Sequence, residues 1–326
     1  MRTIARRLAF YAATAIVAIS VDFFIPRIIP GNPVNAILAK MQGATLTKAT
    51  IAALDEQYGV NTKASVWTQY AHFWGNVLHG NLGTSTSNGF VAVSTVIREA
   101  LPWTLGLVGV ATVISFVLGT LIGVLVAWRR GSWLDNLLPA TTFFQAAPYF
   151  FIAFLALDLF STKLGWFPSG EGHQNLDFPA VNWTYISDVL DHAVLPALTI
   201  VVASAAGWII SMRNVMVTTM DEDYVLVAAA KGLHQRRVIW YAARNAILPS
   251  VSGFSLAIGF IVSGALLTEI VFSYPGLGLL LVNAVSDNDY ALLQGLFLII
   301  TLAVLAANLL ADFVYVFLDP RTRQEA

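Results

Sequence analysis

The chain has 326 residues, 57% of them hydrophobic and only 11% charged, with a formal net charge of −1 at pH 7 and no cysteine. That much apolar surface exceeds what one soluble domain can hide, so a lone globular protein is excluded and lipid is required. The missing thiols exclude disulfides, iron–sulfur ligation and thiol nucleophiles, while the near-zero net charge points to no particular partner.

A bilayer core of about 30 Å takes roughly 20 apolar residues per helix. Stretches of that kind lie near 8–29, 103–128, 136–160, 193–213, 251–273 and 291–318, which predicts an all-α integral membrane protein with six transmembrane helices. Helices are expected because lipid leaves backbone N–H and C=O groups unsatisfied, and the short alternating segments of a barrel are absent. The first stretch follows Arg2, Arg6 and Arg7. It is too long for a signal-peptide core and lacks a small-residue cleavage site, so it reads as a retained span. With the N-terminus inside, 12 of the 18 Lys and Arg residues face the cytoplasm, as span-flanking cations should.

Residues 31–100 form an extracytoplasmic segment too long for a plain connection. Thr47 can cap a short helix through Glu56, which Gly59 would end. Trp67, Tyr70, Trp74, Val77 and Leu78 then share one helical face, suited either to the headgroup level or to packing on the other outer helices. Trp128–Ser132 reads as a tight inner turn joining the second and third spans as an antiparallel pair. Gly119 and Gly123 have the spacing that lets two helices approach closely. The glycine- and proline-bearing stretch 161–191 reads as an outer loop.

The largest inner piece is 214–250. Asp221, Glu222 and Asp223 precede an alanine-rich run ending at Lys231 and Gly232, the charge order and stop residue of a short helix. Val225, Ala228 and Ala229 offer a small-residue face, with Tyr224 and Leu233 as larger anchors. On pattern alone this helix either docks a protein or rests on the membrane surface.

The stretch Asp223–Leu233, continuing to Arg244–Pro249, resembles the EAA-type coupling loop of binding-protein-dependent importer permeases, in the dipeptide, oligopeptide and nickel branch. Arg6–Leu8 with Pro30–Val34, His79–Ser85, Thr268–Gly278 and Leu318–Arg321 resemble the same branch in order along the chain. Leu226 and Ala229 stand where that branch often has arginine. The resemblance implies a Type I (MetI-like) permease fold: an N-terminal span over 1–30, an extracytoplasmic segment over 31–100, a five-helix core over 101–318 and a cytoplasmic tail over 319–326. It also implies a second homologous permease subunit, two ATP-binding subunits and an extracytoplasmic solute-binding protein. The setting would be a prokaryotic cell membrane with both termini cytoplasmic, and the cargo a peptide, nickel or a short oligosaccharide. The coupling role falls on Asp223, Tyr224, Ala228, Ala230, Lys231 and Gly232.

No phosphate-loop glycine pattern, His-Glu-x-x-His pair or other catalytic constellation is visible. The expectation is therefore a non-catalytic subunit without a metal or cofactor of its own, ATP and Mg being bound by its partners. Ionisable residues inside spans carry a functional hypothesis by default, and Asp22, Asp158, Glu269 and Asp312 qualify. Glu269 is a candidate either for the outer gate or for an N-terminal capping or packing role, and Ser263, Gly264 and Thr268 nearby either border a passage or make helix contacts. The alternative class, a stand-alone secondary transporter, should show buried acids or broken helices near the bilayer midplane, and six spans without a repeat or a midplane carboxylate argue against it.

Overall fold

The computed structural model describes residues 2–28, 65–173, 182–259, 261 and 266–318. The expected helix from Thr47 to Glu56, the Pro30–Val34 stretch, Ser263, Gly264 and the Asp319–Arg321 stretch lie outside them. The described residues are overwhelmingly helical, and their one β feature is a bridge between Thr84 and Ala92. Two compact units divide the chain: Met1–Trp103 with Pro275–Leu305, and Thr104–Tyr274 with Ala306–Ala326.

In the first unit, α1 spans Arg2–Ile28, about 40 Å at 1.5 Å per residue and enough to cross a bilayer. α2, Val66–Leu78, starts where the Ser65 side chain accepts a bond from the Thr68 N–H at 3.2 Å. Its aromatic stripe is spent on α1: the fully buried Phe23 meets the Tyr70 and Phe73 rings with centroids 5.3 Å away, and Ser20 Oγ lies 2.6 Å from the Tyr70 hydroxyl. Trp67 and Leu78 stay exposed, and the centre of this face packs on α1, a partner that neither of its two expected roles named. Also on α1, Asp22 is buried and accepts a hydrogen bond from Thr301 at 3.2 Å.

α3 covers Val93–Trp128 and begins in this unit; so does α11, Tyr290–Leu318. The loop between α2 and α3 is tied down by Asp289, a fully buried carboxylate ahead of α11. One of its oxygens accepts bonds from Ser85 Oγ (2.6 Å), Ser87 Oγ (2.8 Å) and the Ser87 N–H (2.9 Å). The other accepts the Leu292 N–H at 3.0 Å, which caps α11. Asp289→Ala leaves buried donors without an acceptor and removes the cap, so it should lower stability by about 2–4 kcal/mol. Thermal unfolding in detergent checks this, with Ser87→Ala, which spares the cap, expected to cost clearly less.

In the second unit, α3 lies against α6, Trp183–Met220. A Cβ on Gly119 would sit 2.5 Å from the Trp208 Cβ, and one on Gly123 would sit 2.8 Å from the Ile209 carbonyl oxygen. The two glycines therefore hold the second span to the fourth, not to the third. Phe116 of α3 fills the space beside them, stacked on Phe254 at 4.2 Å and edge-on to Trp208 at 5.1 Å.

The expected third span is not one straight helix. α4, Leu138–Ala146, and α5, Tyr149–Ala156 with its π-helical continuation Leu157–Lys163, meet at a bend of 103°. Pro148 is the cause: it has no N–H to continue the ladder, disfavours helix at Ala147, and sits extended (φ −60°, ψ 139°) as the cap of α5. In the π-helical stretch, residues five apart share a face, which pairs Lys163 Nζ with Asp158 at 2.7 Å. Asp158 is thus neutralised by a neighbour on its own helix.

Among the described residues, four continuous helices are long and apolar enough to cross a membrane, and the bent pair adds a fifth if it counts as one span. The expected span at 251–273 comprises the end of α8, Gln235–Gly259, and α9, Leu266–Val271, with residues between them outside the description. A six-span all-α membrane fold is compatible with this set. α10, Leu277–Ser286, is a short helix that the sequence reading passed over.

Candidate functional site

α6 runs 38 residues, about 57 Å, nearly twice the hydrocarbon thickness, so an end must stand in water. Beyond Met220 the chain turns at Asp221 and enters α7, Asp223–Ala230. Glu222 is its extended N-cap residue and Asp223 lies in the first turn, where a carboxylate suits the helix dipole. Gly232 (φ +75°) ends it: the Gly232 N–H bonds the Ala229 carbonyl at 2.9 Å and the Leu233 N–H the Ala228 carbonyl at 3.4 Å.

Two turns of helix do not stand alone in water, so α7 needs a seat. Val225, only 3% exposed, supplies it by entering a cluster of Ala127, Met212, Met216, Val238, Ile239 and Ala242 from α3, α6 and α8. Burying one valine contributes about 1.5–3 kcal/mol. Leu233 packs against the same cluster, because the glycine stop swings the next residue back under the helix. This corrects the expectation that Val225 and Leu233 belong to an outward docking face. The outward face is apolar nonetheless: Tyr224 is 41% exposed, Leu226 55% and Val227 50%. Asp223, Leu226, Val227 and Ala230 lie opposite Val225, as i, i+3, i+4 and i+7 spacing requires, with Tyr224 on the flank.

The base of α7 is braced by a clamp. Arg213 on α6 donates to Asp135 at 3.0 Å, Asp135 also accepts the Gly131 N–H at 3.2 Å, and Arg130 donates to the Val217 carbonyl at 3.2 Å. The Gly131 N–H, together with Arg213 and Arg130, holds the Asp135 carboxyl below the usual carboxylate range. The turn after α3 is thereby locked to the end of α6 that carries α7.

Of the residues expected to couple, Asp223, Tyr224, Ala230, Lys231 and Gly232 are exposed, and Ala228 is half-buried. Leu226 and Val227 belong with them on the open face and were missed; helical spacing counted from Asp223 would have found them. Thr268 and Glu269 stand apart, fully buried on α9, which packs against α5 and α6. Burial, with the Glu269 carboxylate nearby, pushes the Tyr274 phenol up to about 12.

Residues 119–324 match the family described as "Binding-protein-dependent transport system inner membrane component". The chain is 36% identical over 303 residues to a putative peptide permease protein of Brucella suis, with 92% of each chain covered. It is 33% identical over 303 residues to the oligopeptide transport system permease protein AppB of Bacillus subtilis, again with 92% of each covered. To the di/tripeptide transport system permease protein DppB of Pseudomonas aeruginosa it is 31% identical over 337 residues, covering 99% of this chain and 98% of the relative.

Proposed function

The chain belongs to the binding-protein-dependent transport system inner membrane component family, and from that premise we propose that it forms half of a peptide translocation pathway whose ATPase grips α7. It is a multi-pass membrane permease subunit of an ATP-binding-cassette importer rather than a self-powered carrier. The observation that carries the coupling assignment is the division of α7 into a seated side, through Val225, and an open apolar side, through Tyr224, Leu226 and Val227.

The assembly fitting this reading has a second homologous permease, two ATP-binding subunits and an extracytoplasmic binding protein, with both termini of this chain in the cytoplasm. Peptide is the cargo class named for the relatives, and it is the cargo we assign. Asp223, Tyr224, Ala230, Lys231 and Gly232 meet the ATPase, while half-buried Ala228 keeps the helix close to its seat. When bound ATP closes the ATPase dimer, α7 moves, and its attachment to α3, α6 and α8 passes that motion to the spans. Hydrolysis resets the cycle, with nucleotide and Mg held by the partners. Thr268 and Glu269 serve as packing behind an outer gate to which Ser263 and Gly264 also contribute.

Detergent extraction of the tagged chain should recover ATP-binding subunits at stoichiometric yield. ATP-driven uptake by this chain with no ATPase bound would refute the reading.

A further inference from the structure

Resting on the importer reading, we propose that an open cavity bordered by α3, the α4–α5 break, α6 and α8 is a water-filled chamber that contacts the backbone of a passing peptide through uncharged groups. The cavity holds about 570 Å³, within the range of small-ligand pockets and room for a few residues of peptide. Thr112, Gln145, Tyr149, Ser204, Trp208 and Ser211 contribute to its wall, and among the described residues no lining side chain carries a charge at neutral pH. The Ser204 hydroxyl reaches the Tyr149 hydroxyl at 3.5 Å, and the Gln145 amide lies over Gly207, where an added Cβ would come to 3.7 Å from it.

A second observation comes from the backbone. The span between Leu138 and Lys163 breaks at Ala147 and Pro148, and the residues flanking the break, Gln145 and Tyr149, are the ones that open onto this cavity. A break leaves the last carbonyls of α4 and the first N–H groups of α5 without helical partners. At membrane depth, such backbone is tolerated where it is buried in protein or lines water. A peptide presents amide donors and acceptors at every residue whatever its side chains. The wall is mostly apolar, formed by residues such as Val108, Ile200, Ala203, Ala257 and Ile261, and the few neutral amide, hydroxyl and indole groups set into it suit that constant part; with no charge among the described lining residues, it discriminates little among side-chain charges.

The chain has no cysteine, so single-cysteine variants report directly. In the full complex reconstituted in vesicles, Ser204→Cys and Ser211→Cys should react with water-soluble methanethiosulfonates at least about tenfold faster than Leu121→Cys on the exposed face of α3. Cationic and anionic reagents should react within about threefold of each other, because no fixed charge stands among the described residues of the wall. Millimolar tri-alanine should slow modification of Ser204→Cys, and glucose should not. Unreactive cysteines, a strong charge preference, or indifference to tri-alanine would each overturn the chamber. If these occur while ATPase subunits remain bound, the importer reading stands and the chamber alone falls; absence of bound ATPase would remove the reading beneath it.

Discussion

Val227→Asp should leave the chain folded in the membrane yet strip it of its ATPase subunits, cutting their recovery by more than about 30-fold, the equivalent of roughly 2 kcal/mol. Val227 is half-exposed on α7, so in the isolated subunit an aspartate there stays in water and disturbs no core. In the assembled importer the same carboxylate would be pressed into an apolar groove without a partner, and desolvating it is costly. Val225→Ala one turn-face away should behave in the opposite sense. That residue is buried among Ala127, Met212, Met216 and Ala242, so its truncation costs about 1–3 kcal/mol of subunit stability and loosens the handle. The pair is measured by pull-down and thermal unfolding together. Normal ATPase recovery by Val227→Asp would show that the open face of α7 is not where the partner binds.

Within one helix, two glycine-to-alanine changes should have opposite signs. At Gly123 the added methyl would lie 2.8 Å from both the Ile209 carbonyl oxygen and the Met212 Cβ, so α3 must move away from α6. Overpacking of this kind costs about 1–3 kcal/mol, and because backbone is involved no side-chain rotation relieves it. At Gly109, on the same helix, nothing lies within 4 Å of the added methyl. Only the gain in helix propensity remains there, about 0.5–1 kcal/mol of stabilisation. The double change at Gly119 and Gly123 should prevent accumulation of folded protein. Equal melting temperatures for Gly123→Ala and Gly109→Ala would sink the claim that α3 and α6 are held at glycine distance.

The two sites differ in how far they could be read in advance. α7 was legible because a helix start, an alanine-rich run and an αL stop are local signals, and the structure places the stop at Gly232 with φ +75°. Which side of α7 faces out was not legible. All its residues from Tyr224 to Ala230 are apolar, so it has no amphipathic contrast to orient it, and only the cluster around Met212 and Met216 decides that Val225 turns in. The Gly119–Gly123 spacing announced a close approach but not the partner, since a small residue permits contact without choosing it. Asp289 and the Arg213–Asp135 clamp gave no warning, because Ser85 lies 204 positions from Asp289 and Arg213 lies 78 from Asp135.

By itself the sequence determined that this chain lives in lipid, that its backbone is helical there, and where α7 begins and ends. These follow from the lengths of apolar runs and from residue-level conformational preference, which act over one or two turns. Only the tertiary structure decided that the third span breaks by 103° at Pro148, that α7 shows Leu226 and Val227 rather than Val225 to its surroundings, and that buried carboxylates tie distant segments together. The reason is that a proline permits a break without setting its angle, and a uniformly apolar surface has no preferred face until neighbouring helices occupy one side of it.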